Sequence, residues 1–180
     1  MCIIEDLKED HESIRLVLEI LEKMIDRLYG GKAVDYEDLS WVFEFCRDFI
    51  DRSHFGKEEY LLFPALEDAE VPHSPLEELV LEHDSLREIS KYLRGCAEGY
   101  FEGEAEATME IIDKGLAFLT FMNQHLEKED AIIYPVAETI LSKETCDRLS
   151  EKFEIFQSER LTPGRREELL DALSYLKDFY

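Results

Sequence analysis

The sequence predicts an all-α protein, an up-and-down antiparallel four-helix bundle with two extra C-terminal helices. Three observations predict it. Apolar residues recur in steps of three and four over long segments, the spacing of one helix face. The alternation of a half-buried strand is absent. Breaks fall at Gly30-Gly31, at Val71 to Pro75, between Gly99 and Gly103, and at Thr162-Pro163-Gly164, leaving four long segments and two shorter ones.

The first segment steps through Ile4, Leu7, His11, Ile14, Leu18, Leu21, Ile25 and Leu28, so one face is apolar at every step but His11. The second, roughly 36–68, carries Phe43, Ile50, His54, Glu58, Leu61 and Ala65. The third, roughly 75–98, carries Leu76, Leu79, His83, Leu86, Ser90, Leu93 and Ala97. The fourth, roughly 104–140, carries Ile111, Phe118, Met122, His125, Glu129, Ile132 and Val136. Asp35 and Ser74 are placed to cap the second and third helices. Pro64 and Pro135 are expected to kink or end the second and fourth. Short connections between long helices favour antiparallel neighbours. Residues 1–142 are read as the bundle. Residues 143–180 are read as a helical extension that covers one side of it or forms a homodimer contact.

Composition bounds the partners. A chain of 180 residues with 45% apolar residues buries a sizeable core. Its net charge is −23, from 43 acids against 20 bases, which argues against nucleic acid and against an anionic membrane surface. No apolar run approaches the length of a membrane span, and the N-terminal stretch is acidic from its fifth residue, unlike a secretory signal. A cytoplasmic protein is expected. Cys2, Cys46, Cys96 and Cys146 form no CxxC pair and are expected as reduced thiols.

The two halves of the bundle repeat each other. DHESIR at 10–15 matches EHDSLR at 82–87, and HFGKEEYLLFPAL at 54–66 matches HLEKEDAIIYPVA at 125–137. His11 thereby pairs with His83, His54 with His125, Glu58 with Glu129, Phe63 with Tyr134 and Pro64 with Pro135. Two helix pairs packed about a pseudo-twofold axis would bring these positions to the centre. A lone histidine on an apolar face is ordinarily a core residue, and a lone glutamate a solvated one. Here all four helices carry a histidine on the inward stripe, and two carry a glutamate one turn later. Burying a carboxylate without a partner costs several kcal/mol, so cations are the economical explanation. Four imidazoles and two carboxylates exceed one tetrahedral zinc, and calcium or magnesium would want oxygen ligands. The set suits two ions of iron or manganese in a helix bundle, with zinc as a possible substitute. The candidate metal ligands are His11, His54, Glu58, His83, His125 and Glu129.

At these residues the sequence resembles the hemerythrin-like, HHE cation-binding family, over about residues 5–140. The motif is His, His-x3-Glu, His, His-x3-Glu, one element per helix. The resemblance implies a non-haem di-iron centre bridged by Glu58 and Glu129, with small ligands such as O2, NO or peroxide. It also marks departures. Oxygen carriers of the family have a further histidine one turn after the third, where this chain has Arg87. They draw one bridge from an aspartate five residues after the last histidine, where this chain has Asp130 beside Glu129; repeat symmetry favours Glu129. The set is more similar to the branch of iron-sulfur cluster repair proteins and iron- or oxygen-sensing domains, whose repair members often carry an extra cysteine-bearing domain; Cys2 is read as incidental.

His73 is expected as a solvated loop residue; Tyr134 either approaches the site or packs in the core, and the core reading leads. The division of the four histidines between two ions stays open. A non-enzymatic protein that binds metal and O2, NO or iron is the leading expectation. A di-iron enzyme or iron donor in NO or peroxide detoxification or cluster repair is the alternative.

Overall fold

The structure, a computed structural model, describes residues 3–180, apart from the side chain of residue 105. Six helices account for it, and no strand occurs among the described residues. Helix α1 is Ile3–Tyr29. Helix α2 spans residues 36–68. It begins as an α-helix at Tyr36–Phe45, opens into wider π-type turns over Cys46–Phe55 and Glu58–Leu62, and closes again at Phe63–Asp68. Helix α3 is His73–Glu102. Helix α4 spans residues 105–140, with the α-helical stretch Ala105–Lys128, a π-type turn at Glu129–Ile133 and a final Tyr134–Ile140. Helices α5 (Lys143–Arg160) and α6 (Arg165–Phe179) complete the chain.

The termini of these helices follow local chemistry. The Asp35 side chain accepts from the Glu37 N–H and caps α2 as expected. Ser74 does not cap α3: that helix starts a residue earlier, at His73, with Pro72 in the cap position and no side-chain cap. Gly103, at φ 81°, ends α3 in the left-handed conformation that a Cβ disfavours.

The prolines do not end their helices. Proline lacks the N–H of a regular turn, and its ring crowds the carbonyl four residues back. Widened turns accommodate this. The Phe63 N–H bonds the Glu58 carbonyl, and the Tyr134 N–H bonds the Glu129 carbonyl, each spanning five residues. Each widened turn thus starts at a motif glutamate and closes just before the proline. π-type turns commonly mark functional sites.

Two apolar clusters divide the interior along the bundle axis. The larger joins the Tyr29-ward part of α1 (Ile14 to Leu28) to the first half of α2, to Leu86 and Leu93 of α3, and to Phe118 and Met122 of α4. The smaller gathers Ile3, Leu7, Leu62, Phe63, Leu76, Leu79, Ile133 and Tyr134. The six motif residues lie between them, so the centre is sealed at both ends.

The C-terminal helices pack on the bundle. Leu169, Leu173 and Leu176 of α6 join the larger cluster, and Leu149 and Phe153 of α5 the smaller. Gly56 lets α5 approach α2: a Cβ there would lie 2.7 Å from the Phe156 ring. No described helix is long and apolar enough to cross a membrane.

Candidate metal centre

Each helix of the bundle brings one histidine inward, and α2 and α4 add a glutamate one turn on. His11, His54, Glu58, His83, His125 and Glu129 are all fully buried. They form two overlapping groups, His11 with His54 and His83 with His125, both sharing Glu58 and Glu129. Within each group the ligand atoms lie within 4.8 Å of one another. Repeat symmetry left the pairing of the histidines open; the fold brings together the two of each half.

The Nε2 atoms converge. His83 Nε2 lies 3.0 Å from His125 Nε2. His11 Nε2 stands 3.2 Å from Glu129 Oε2, and His125 Nε2 3.2 Å from Glu129 Oε1. His54 Nε2 and His83 Nε2 stand 3.7 and 3.5 Å from Glu58 Oε2. Four inward atoms, His54 Nε2, Glu58 Oε2 and both Glu129 oxygens, have no hydrogen-bond partner. Buried polar atoms are ordinarily satisfied. Unpartnered nitrogens and oxygens converging on shared points are the donor set of a cation, and their chemistry fits one.

The outward Nδ1 atoms each meet a carboxylate. His11 faces Asp130 at 3.0 Å, His83 faces Glu59 at 2.7 Å, His125 faces Glu82 at 2.9 Å and His54 faces Asp10 at 3.5 Å. The first three are hydrogen bonds, which fix the tautomer and point Nε2 inward; His54 Nδ1 makes none. Behind each carboxylate stands a cation. Lys57 donates to Asp10 at 3.0 Å and to Asp6 at 2.7 Å, and Lys128 donates to Glu82. Arg15 donates to Asp130, and Arg87 reaches Glu59 at 2.9 Å. The repeat extends through all three layers: Asp10 matches Glu82, Glu59 matches Asp130, Lys57 matches Lys128 and Arg15 matches Arg87. Glu59 and Asp130 cross over, each serving a histidine of the other half. Arg87, which stands where oxygen carriers have a histidine, holds the carboxylate behind His83.

Two features break the symmetry. Arg166 of α6 donates to Asp10 at 2.8 Å, so the C-terminal extension touches the outer layer of the first half alone. Tyr134, opposite Phe63 in the repeat, is fully buried, and its hydroxyl donates to Glu58 Oε1 at 2.8 Å and lies 2.9 Å from His11 Nε2. Tyr134 thus both packs in the core and approaches the site. Residues five apart diverge on an α-helix, but the widened turn returns Tyr134 to the face of Glu129. Phe63, similarly placed, lies parallel to His83 with centroids 6.1 Å apart.

Burial and neighbours set the protonation of the cation-free centre. Burial, with Glu129 close by, pushes the Glu58 carboxyl well up. Burial also works against ionised Glu129, but the charge of His125 and the His11 imidazole 3.2 Å away outweigh it and hold that carboxyl well down. Burial lowers His54 to about 4, with the charge of His11 adding to it. Burial and the nearby Glu58 raise the Tyr134 phenol well above its usual value.

His73 opens α3 rather than sitting in a loop; it is exposed and paired with Glu67, far from the motif set. Cys46 and Cys96 are free thiols, and Cys2 lies outside the described residues. Sequence reading missed Asp10, Glu59 and Glu82. Each adjoins a motif residue inside the repeated strings, and that adjacency was the available signal.

The fold and donor set define a helical-bundle protein with a buried His/Glu group that could hold a cation. The chain belongs to the hemerythrin HHE cation binding domain family, whose model matches residues 2–139. It is also similar to uncharacterized proteins of Mycobacterium tuberculosis and Mycobacterium bovis, each 21% identical over 170 residues, which is 94% of this chain and 67% of the relative. No solved structure matches.

Proposed function

We propose that the chain is a non-haem di-iron protein that binds O2, NO or iron itself, with His11 and His54 on one ion, His83 and His125 on the other, and Glu58 and Glu129 shared. The observation that carries this is the set of four unpartnered inward atoms ringed by histidines, three of which, His11, His83 and His125, have their outer nitrogens hydrogen-bonded to carboxylates. Six side chains offer few donors for two ions that favour six-fold coordination, which leaves positions for a small ligand. The ions would supply reversible binding or redox exchange with that ligand. The protein's part is to hold the donors, exclude bulk water and keep Glu129 ionised. Manganese or zinc fits the same donors less selectively.

Tyr134 favours a second reading, a di-iron enzyme reducing NO or peroxide. Its hydroxyl is a buried proton donor on the His11 side alone. Anaerobic reconstitution with ferrous iron is the test. About two irons per chain should bind, optical spectra should change on adding O2 or NO, and His125→Ala should lose both effects. Reconstituted protein that stays spectrally indifferent to both gases sinks the proposal. Sustained turnover with an electron donor, lost in Tyr134→Phe, selects the enzyme.

A further inference from the structure

A cavity of about 500 Å³ opens between α2, α3 and α4, beside the candidate metal centre but separated from it by Phe55. Its floor is apolar, with Phe55, Phe118 and Met122. Its walls and mouth carry five cations, Arg47, Arg52, Arg87, Lys91 and Arg94, against two acids, Asp51 and Glu88. That is a reversal of sign on a chain of net charge −23. Three of the cations are engaged: Arg47 and Arg52 with Asp48, and Arg87 with Asp51, Glu59 and Asp84. Lys91 and Arg94, one helical turn apart, face no ion-pair partner among the described residues.

The internal repeat supplies a control. The matching recess on α1 and α4 holds about 140 Å³ and is lined by Arg15, Leu18, Glu19, Glu22, Leu119 and Asn123. In the repeat alignment Ser90 stands where the copy has Leu18, Lys91 where it has Glu19, and Arg94 where it has Glu22. The two halves therefore differ by a leucine against a serine and two acids against two bases, all on one stretch of one face. A solvated helix surface needs no such concerted change. A pocket for an anion with an apolar body needs both parts of it.

We propose that this cavity binds a small amphipathic organic anion, its carboxylate or phosphate head held by Lys91 and Arg94 and its short apolar body laid on Phe55, Phe118 and Met122. The body rests on the ring that stacks against His83, with centroids 3.8 Å apart and planes 13° apart. Occupancy is thus felt at a histidine of the neighbouring centre without contact to it. The site itself does not depend on what that centre binds.

Isothermal titration of the purified chain at low salt tests this with octanoate, octyl phosphate, octyltrimethylammonium and inorganic phosphate. One octyl anion should bind per chain, and whichever of the two binds tighter identifies the head group. The cationic amphiphile and bare phosphate should bind about tenfold more weakly or worse. Lys91→Glu with Arg94→Glu, and separately Ser90→Leu, install the copy's own residues and should each weaken the octyl anion by about tenfold or more, with helical content unchanged by circular dichroism. Equal binding of the cationic amphiphile, octyl-anion binding indifferent to the Lys91/Arg94 change, or no binding of either octyl anion at millimolar concentration would overturn the proposal.

Discussion

Stripping cations from the chain should expose how much of its stability they supply. Four inward atoms, His54 Nε2, Glu58 Oε2 and the two Glu129 oxygens, are buried without partners. Each such atom costs about 1–3 kcal/mol, so the cation-free centre carries a penalty on the order of 4–12 kcal/mol. That rivals the whole folding stability of an ordinary domain, about 5–15 kcal/mol. Metal at about a thousandfold above its dissociation constant adds about 4 kcal/mol by mass action. For a chain of this size that corresponds to a rise in melting temperature of about 8–16 °C. Calorimetric melts of chelator-treated protein, before and after anaerobic addition of ferrous iron, measure the increment. Glu58→Gln with Glu129→Gln supplies the counter-test. Without the two carboxylates this variant should gain little melting temperature on adding ferrous iron. A melting temperature indifferent to chelator, or a variant that keeps the full increment, would refute the reasoning.

Other expectations follow from single contacts. Tyr134→Phe reproduces the Phe63 of the other half and removes the hydrogen bond to Glu58; it should lower cation-free stability by about 1–2 kcal/mol in urea unfolding. Asp48 ties Arg165 of α6 to α2 at 3.0 Å. Burial would raise its carboxyl, but hydrogen bonds from Arg47 and Arg165 outweigh this and hold it below the usual value. A carboxyl depressed in the fold adds stability that is complete above its unfolded value, about 4, and is lost as pH falls through the folded one. Asp48→Asn should therefore melt lower at neutral pH and lose less than the parent as the solution is taken from mildly acidic to below the unfolded value. Gly56→Ala pushes a Cβ to 2.7 Å from Phe156; it should cost about 1–3 kcal/mol, and Phe156→Leu in the same chain should recover part of it.

Periodicity carried the fold. His11, His54, His83 and His125 interrupt otherwise apolar stripes, and the repeated strings mark the two glutamates, so the helices and the inward residues were legible without coordinates. Tyr134 was legible only as one of two readings. Its approach to Glu58 depends on a widened turn, and residue spacing on a regular α-helix points it elsewhere. Pro64 and Pro135 do not end their helices for the same reason: those turns absorb the missing donor. The outer carboxylates were half-visible: Asp10 and Glu82 precede motif histidines, yet nothing local says that they reach across to His54 and His125. Arg166 was out of reach altogether, since its contact with Asp10 depends on how α6 docks, which no repeat partner records.

The crossover of Glu59 and Asp130 has a consequence for assembly. Residues 3–68 supply His11 and His54 but lack the carboxylate that orients His11; residues 73–140 supply His83 and His125 but lack the one that orients His83. Neither stretch is a self-sufficient unit, despite their likeness. A protein nicked in the short connection between α2 and α3 would present two fragments, each incomplete in the same way and each supplying the other's lack. Cation affinity would then be regained only on their reunion, and would count complementary pairs rather than folded pieces.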